Sequence, residues 1–195
     1  MNDVTLQFGL PDRLRADAAR LYWQAFGSKL GAVMGPEPRA LRFLMRVIRA
    51  DQVITALGPD GALLGIAGFK TPRGGFASGQ ADDLRAIYGA FGAWWRKALL
   101  GRLSDEVDNR RFLLDGLCVD EPAQGQGLGT SLLNAICTEA RLREFSAVRL
   151  DVIATNTRAI ALYRRLGFEV VGCQDIGLLR FVFGFSSALT MVRQL

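Results

Sequence analysis

The sequence predicts a mixed α/β or α+β fold, in which one sheet is built from strands and helices that alternate along the chain. In residues 112–192, short apolar runs typical of strands alternate with segments of helical periodicity. The first 70 residues predict a strand, two helices and a hairpin. Strands that are separated by helices need crossover connections, which is the third reason for choosing this fold class.

The first half of the chain supplies the hairpin and three helical segments. Residues 4–8 alternate apolar and polar side chains, which predicts a strand, and residues 11–26 and 39–50 have helical spacing. The runs 52–57 and 62–69 flank the turn sequence Gly58-Pro59-Asp60-Gly61 and predict a hairpin. The glycine-rich residues 71–80 predict a loop.

The segment 81–103 has helical periodicity, but it contains three glycines that favour a break near its middle. Its paired tryptophans and neighbouring basic residues are compatible with a helix on a membrane surface. Packing in the core, or a cover over a substrate cleft, is the interpretation that we favour.

The second half is more regular. We expect strands at 112–119, 147–154, 168–173 and 188–192, and helices that end near residue 143 and span 156–166. The apolar segment 176–185 interrupts the return between the last two strands. It is compatible with a contact in a homodimer or with an apolar substrate wall, and the sequence does not separate the two.

Composition removes several classes of function. The 195 residues contain no histidine, so Ser-His-Asp and Cys-His nucleophiles and histidine-ligated metal sites are excluded. Three cysteines without metal-ligand spacing argue against a disulfide framework and a metal, and predict a reducing cytoplasm. The start, Met1-Asn2-Asp3, has no basic region of a secretory signal, and the apolar runs are too short to span a membrane.

The net charge of +5 favours a polyanionic ligand, which includes nucleotide cofactors and nucleic acid, but it is equally typical of a solubilising surface. The sequence contains no helix-turn-helix, zinc finger or aromatic-basic stacking motif. We therefore predict no nucleic-acid partner and no membrane partner.

The run Gln124-Gly125-Gln126-Gly127-Leu128-Gly129-Thr130 stands directly after a predicted strand and before a predicted helix. Its glycines allow the backbone to approach an anion, and the unpaired N–H groups of the helix can bind a pyrophosphate. A P-loop would need lysine where Gly129 stands. A dinucleotide fingerprint would need its third glycine one residue later, although Asp151 lies at about the ~20-residue distance of that fold's ribose-binding acid.

Two motifs resemble those of the GCN5-related N-acetyltransferase (GNAT) superfamily. Gln124-x-x-Gly127-x-Gly129 is similar to its pyrophosphate motif, Arg/Gln-x-x-Gly-x-Gly/Ala. About thirty residues on, Asn156-x-x-Ala159-x-x-Leu162-Tyr163-x-x-Leu166-Gly167-Phe168 is similar to its next motif. The resemblance covers residues 112–173, and the order of the amino-terminal elements agrees with it.

The resemblance implies a mixed, mostly antiparallel central sheet flanked by helices, with a splayed pair of parallel strands forming an acyl-CoA cleft. It implies a single domain over residues 1–195. The cofactor-binding core would be about 110–173, and the acceptor-side elements would be about 10–50 and 71–103. The activity implied is acetyl transfer from acetyl-CoA, or another acyl-CoA, to a primary amine of an unidentified small molecule or protein. A non-catalytic acyl-CoA sensor is the alternative.

The resemblance also assigns residues to roles. The pantetheine arm would pair with the backbone of a strand and bind one asparagine, and the pyrophosphate would rest on the glycine turn. The predicted cofactor-binding residues are Leu117, Cys118, Val119, Gln124, Gly125, Gln126, Gly127, Gly129, Thr130 and Asn156. Tyr163, which retains its proton at neutral pH, would protonate the departing thiolate. Asp115 is the first candidate for the base that deprotonates the amine, and Glu121 is the second.

Overall fold

A computed structural model describes residues 4–72, 74–101 and 111–195. Met1-Asn2-Asp3 and the last two residues of the predicted helix 81–103 lie outside the described residues. Within these ranges the chain forms a mixed eight-stranded sheet and six α-helices. None of the described helices is both long enough and apolar enough to cross a lipid bilayer.

The sheet is antiparallel at every pairing except one, which confirms the predicted fold class. Its strand order is β1-β2-β3-β5-β6-β8-β7, and β4 is a short addition beside β3. The parallel pair is β5 and β6. The strands are β1 (Thr5–Phe8), β2 (Val53–Leu57), β3 (Leu63–Thr71), β4 (Gly74–Gly75), β5 (Phe112–Val119), β6 (Ala147–Ile153), β7 (Glu169–Asp175) and β8 (Ser187–Gln194).

Helices cover both faces of this sheet. They are α1 (Arg15–Met34), α2 (Glu37–Val47), α3 (Ala81–Leu100), α4 (Leu128–Leu142), α5 (Thr157–Arg165) and α6 (Arg180–Phe183). Successive side chains of a strand point to opposite faces of the sheet, so each strand contributes to both cores, as β3 shows. Ala67 and Phe69 pack in the cluster that contains α4 and α5, whereas Ile66 packs with α1 and α2.

The parallel strands β5 and β6 are paired over three residues only. The paired positions run from Phe112 beside Val148 to Leu114 beside Leu150. Beyond them β5 continues along β3, and β6 continues along β8. The two strands therefore part in the middle of the sheet and leave a cleft between their carboxyl-terminal halves.

A β-bulge lies where the strands part. Leu114 is opposite Phe69 and Gly116 is opposite Gly68, so Asp115 is the extra residue of β5. A bulge changes the direction of the side chains that follow it. As a result Gly116 faces Tyr22 and Phe26 of α1, and the next residue back, Asp115, faces Gly75 and Ala77 on the same side of the sheet.

Two elements differ from the sequence prediction. Helix α1 continues to Met34, well past residue 26, through Gly27 and Gly31. Burial of Val33 and Met34 in the core beside α2 and α3 outweighs the cost of about 1 kcal/mol for each glycine within a helix. The predicted loop 71–80 also contains β4.

The structure also describes the two segments for which the sequence left alternatives open. Helix α3 is kinked at Gly89, where φ is +73°, so the expected break is confirmed. The apolar segment 176–185 contains the short helix α6, whose Phe183 is buried beside residues of α1, α2 and α3. Leu178 and Phe181 of this segment are exposed.

Candidate functional site

The parting of β5 and β6 opens onto a cleft of about 700 Å³. The exposed halves of both strands, the glycine turn before α4, and helices α1 and α5 line this cleft. Of the predicted site residues, those that line it are Asp115, Leu117, Val119, Gln124, Gly125, Gly127, Gly129, Thr130, Asn156 and Tyr163. Cys118 is not among its lining residues, since its buried side chain packs on the opposite side against α1. Gln126 does not line it either.

The glycine turn has the geometry of an anion site. Gly125 and Gly127 have φ values of +78° and +87°, a region that favours glycine. Gly127 is the N-cap of α4, and no side chain caps this end of the helix. The N–H groups of the first turn, together with the helix dipole, are therefore available to a phosphate.

Gly129 has a different role from the other two glycines. A Cβ at this position would lie 3.2 Å from Cδ2 of Leu162 on α5, so the absence of a side chain allows α4 and α5 to pack closely. The third glycine of the motif thus fixes the width of the cleft between the two helices. It does not take up a special backbone conformation.

The two glutamines of the motif hold the turn in place. Nε2 of Gln124 donates to the carbonyl oxygen of Val119 at 3.0 Å, and its Oε1 accepts from Nη1 of Arg158 at 3.0 Å. Nε2 of Gln126 donates to the carbonyl oxygen of Pro122, also at 3.0 Å. Arg158, which the sequence analysis missed, adds a positive charge to the wall of the cleft.

Helix α5 presents both residues of the second motif to the cleft. Oδ1 of Asn156 accepts a hydrogen bond from the backbone N–H of Ala159 at 3.2 Å, so this side chain caps the helix. Tyr163 is 8% exposed, and its ring lies 6.0 Å from that of Phe168. Burial, with a smaller effect of nearby Cys118, raises the pKa of Tyr163 to about 12, so the phenol is protonated at neutral pH.

Asp115 lies in the bulge at the deepest point of the cleft. Its Oδ2 accepts a long hydrogen bond from the backbone N–H of Ala77 at 3.4 Å. Burial raises the pKa of Asp115, against the opposing effects of the backbone N–H groups of Ala77 and Phe76 and of Lys70. Glu121, the second candidate base, is exposed and lines neither this cleft nor the cavity beside it.

A second cavity of about 550 Å³ adjoins the cleft. Its walls come from α1, α2, α3 and residues 77–81, which are the elements that were expected on the acceptor side. Leu114, Asp115 and Asp151 line both cavities, so the two meet at the bulge. The carboxylate of Asp151 accepts a hydrogen bond from Oγ1 of Thr190 and pairs with Nη2 of Arg149 at 3.1 Å.

One face of α1 completes the site, and the sequence analysis did not identify it. Tyr22 lines the second cavity, and Phe26 and Lys29 line the cleft. A Cβ at Gly116 would lie 3.3 Å from ring carbons of Tyr22 and Phe26, so this glycine lets α1 pack directly against β5. Burial lowers the pKa of Lys29, and burial followed by the charge of Asp115 raises that of Tyr22. Tyr22, Phe26 and Lys29 have the spacing i, i+4, i+7 in the sequence, and this helical spacing is the signal that could have identified the face.

Comparison with known proteins identifies the family. The model of the acetyltransferase (GNAT) family matches residues 17–168, which include both motifs, most of α1 and the bulge. The chain belongs to the GNAT family of acetyltransferases. This membership, together with the mostly antiparallel sheet, overturns the dinucleotide-binding alternative that was based on Gly125 and Asp151.

Curated relatives match parts of this GNAT chain. The spermine/spermidine N(1)-acetyltransferase of Bacillus subtilis (strain 168) is 33% identical over 91 residues, which are 46% of this chain and 54% of that protein. The ribosomal protein bS18-alanine N-acetyltransferase of Escherichia coli (strain K12) is 44% identical over 56 residues, 29% of this chain and 38% of that protein. The chain therefore spans about half the length of the curated relatives it matches, or less.

Solved structures agree with this GNAT fold over almost the whole chain. A GCN5-related N-acetyltransferase from Kribbella flavida has a TM-score of 0.61 at 16% identity and covers 98% of both chains. Ard1 from Thermoplasma volcanium also has a TM-score of 0.61, at 17% identity, with 98% of this chain and 97% of that chain covered. At these identities the similarity establishes the fold alone.

The position of Asp115 leads to a test of stability. Because burial raises the pKa of Asp115 above its unfolded value of ~3.9, its contribution to stability is complete below that value and is lost as the pH rises through the folded pKa. We therefore expect the free energy of unfolding of Asp115→Asn, relative to that of wild type, to be higher at about pH 7 than at about pH 3.5. Urea unfolding at the two pH values measures this difference.

The matched control is Asp82→Asn, which removes an exposed carboxylate from α3. Its effect on the free energy of unfolding should stay within about 0.5 kcal/mol at either pH. An Asp115→Asn effect that is equal at both pH values would contradict the expected cost of ionising this buried carboxyl.

Proposed function

We propose that this chain is an N-acetyltransferase that moves the acetyl group of acetyl-CoA, or another acyl-CoA, to a primary amine of a small molecule or protein. The observation that carries the proposal is the convergence of three features in one cleft. The uncapped amino terminus of α4, the open edge of β5 and the phenol of Tyr163 all line it. The cleft then meets a separate cavity at Asp115, which provides a place for a second substrate.

The features of the cleft fit the parts of an acyl-CoA molecule. A pyrophosphate is a dianion, and the first turn of α4 offers N–H groups and the positive end of a helix dipole. The basic side chains of Lys29 and Arg158 lie in the same cleft and add favourable charge. The amide groups of a pantetheine arm can pair with the backbone of Leu117 to Val119, because β6 has separated from β5 there.

We assign the proton transfers to two buried groups. The acceptor enters as an ammonium, and the carboxylate of Asp115 accepts one of its protons. The nitrogen then attacks the thioester carbonyl, so that an N–C bond forms and the C–S bond breaks. Tyr163 donates its phenolic proton to the sulfur that leaves as a thiolate. The nitrogen loses its second proton as the C–S bond breaks, and this proton restores the phenol through water, while the proton on Asp115 passes to the solvent.

The environment of each group supports its role. The raised pKa of Tyr163 keeps its phenol protonated at neutral pH, as a proton donor must be. The raised pKa of Asp115 makes this carboxylate a stronger base than one in water, which favours removal of a proton from an ammonium. The relatives named above support an amine as acceptor, since one acts on spermine or spermidine and the other on an alanine.

The first prediction concerns binding of the donor. Alanine at Gly127 would strain a positive φ and add a methyl group in the cleft, so we expect the Kd of acetyl-CoA to rise about tenfold. Isothermal titration calorimetry measures this change. Gly184→Ala is the matched control, because Gly184 also has a positive φ of +73° and open surroundings but lies at the end of α6.

Both glycine variants should lose a similar ~1–2 kcal/mol of folding free energy, since the backbone strain is the same in kind. Gly184→Ala should bind acetyl-CoA as wild type does. Equal affinities in the two variants would argue against the glycine turn as the donor site, and a wild-type protein that does not bind acetyl-CoA would overturn the proposed function.

The second prediction concerns the general acid. Tyr163→Phe removes the proton donor while it retains the ring, so kcat should fall on the order of a hundredfold and the Kd of acetyl-CoA should stay the same. Release of free thiol follows turnover. Tyr88→Phe is the control, because Tyr88 lines neither cavity. Its hydroxyl donates to the carbonyl oxygen of Met34 on the outside of the second cavity's wall, so it touches neither the cleft nor the thioester.

A wild-type protein that binds acetyl-CoA but never releases thiol with any amine would favour the alternative of an acyl-CoA sensor. Full activity in Tyr163→Phe would instead leave the transferase in place and remove Tyr163 from its mechanism.

The third prediction concerns the base. In Asp115→Asn the amine must lose its proton to water, so kcat/KM should fall on the order of a hundredfold near pH 7. This deficit should shrink as the pH rises towards the ~10 at which an alkylamine deprotonates by itself. A deficit that is constant across the pH profile would show that Asp115 positions the substrate and does not act as its base.

A further inference from the structure

The side of the second cavity that α1, α2 and α3 form is lined mainly by apolar side chains. Phe43 of α2 and Met34 of α1 are 6% and 5% exposed, and both contribute to it. Trp23, Leu30, Leu84 and Leu100 extend the same surface along α1 and α3. An apolar molecule placed there would remove its surface, and that of these side chains, from water.

Charge is distributed unevenly over this cavity. Its two carboxylates, Asp115 and Asp151, belong to β5 and β6 and lie where the cavity meets the cleft. Asp151 is paired with Arg149, so Asp115 is the carboxylate with the weaker set of partners. The other charged side chains of the lining are basic, namely Lys70 of β3, whose charge lowers the pKa of Asp115, and Lys97 of α3, which is exposed. A single positive group therefore finds acidic partners at the junction, and the helices that form the rest of the wall offer it apolar side chains and a lysine.

We propose that the acceptor is a small primary monoamine with an apolar body, which lies in the second cavity with its ammonium towards Asp115 and Asp151. This inference rests on the proposed acetyl transfer and names the class of its second substrate. It differs from the acceptors named for the Bacillus subtilis relative, because spermine and spermidine carry further ammonium groups.

The desolvation of charge decides between these classes. A polyamine that placed its first ammonium at Asp115 would have to bury a second one against Phe43, Met34 or Leu84, or place it near Lys97. Moving an ammonium from water to an apolar wall is costly unless a carboxylate receives it. A monoamine with an alkyl or aromatic body avoids this cost and gains from burial of its carbon atoms.

Size favours a small molecule as well. A cavity of about 550 Å³ is within the roughly 300–1,000 Å³ range of small-molecule sites. Helix α3, which lies across this side of the sheet, supplies Leu84, Lys97 and Leu100 as a side wall. An amine on a short body fits within such walls, whereas a protein terminus would have to bring its following residues along with it.

The experiment compares acceptors that differ by one charge. Hexylamine and its diamine counterpart have the same carbon chain, but the diamine has an ammonium at each end. With acetyl-CoA as donor and thiol release as the readout, kcat/KM for hexylamine should exceed that for the diamine at least about tenfold. Phenylethylamine should react at least as well as hexylamine, and spermidine and a peptide with an amino-terminal alanine should be poorer acceptors.

A variant of α3 tests how the charge of the cavity wall affects the choice between the two amines. Lys97→Glu places a carboxylate in the wall and should shift the hexylamine-to-diamine ratio about fivefold or more towards the diamine. Arg85→Glu is the matched control, because Arg85 is an exposed basic residue of the same helix outside the cavity lining. It makes the same change of net charge and should leave the ratio unchanged.

The outcomes separate this inference from the function on which it rests. Preferential turnover of spermidine, of the diamine or of the peptide would overturn the monoamine assignment and leave the acetyltransferase in place. Binding of acetyl-CoA without thiol release from either hexylamine or phenylethylamine would also overturn it. Absence of acetyl-CoA binding would overturn the proposed function itself.

Discussion

Beyond Leu114 on β5 and Leu150 on β6, two neighbouring parallel strands of one sheet no longer share hydrogen bonds. Buried peptide groups need partners, and each strand finds them on its outer side, β5 with β3 and β6 with β8. The inner edges face the cleft. Much of the remaining structure serves this opening, because α4 and α5 pack beneath it on one face while α1 covers the other.

The same opening determines the electrostatics of the site. Groups that line a cavity inside a sheet lose much of their hydration, which disfavours their charged forms. The pKa values of Asp115 and Tyr163 are raised and that of Lys29 is lowered for this common reason. The bulge also orients Asp115, because it turns the carboxyl of this residue towards the junction of the two cavities.

Local sequence was sufficient to predict the part of the cleft that we propose for the donor. Alternate glycines determine the turn before α4, and the cap and phenol of α5 are seven residues apart on one short helix. Both motifs could therefore be recognised without knowing distant contacts. The functions of single side chains within them were less predictable. Gln124 holds the glycine turn in place, and Gly129 allows α5 to pack closely against α4. Both roles depend on a partner that lies far away in the sequence.

The second cavity, which we propose for the acceptor, depends on tertiary packing and could be predicted only in outline. The carboxyl-terminal part of α1 contains two glycines and looks weak by propensity, yet burial of Val33 and Met34 keeps it helical. Tyr22 and Lys29 line the two cavities because Gly116, which is distant from both in the sequence, allows α1 to contact β5. A pattern within either segment alone does not contain that information.

The donor cleft and the second cavity use different parts of the polypeptide for recognition. The glycine turn and the edge of β5 present main-chain groups, which almost any compatible sequence can supply. The walls of the second cavity are side chains of α1, α2 and α3, and each can change without altering a hydrogen bond of the sheet. In evolutionary terms, selection can exchange one acceptor for another by point substitutions on three helices, while the chemistry of the donor is inherited unchanged.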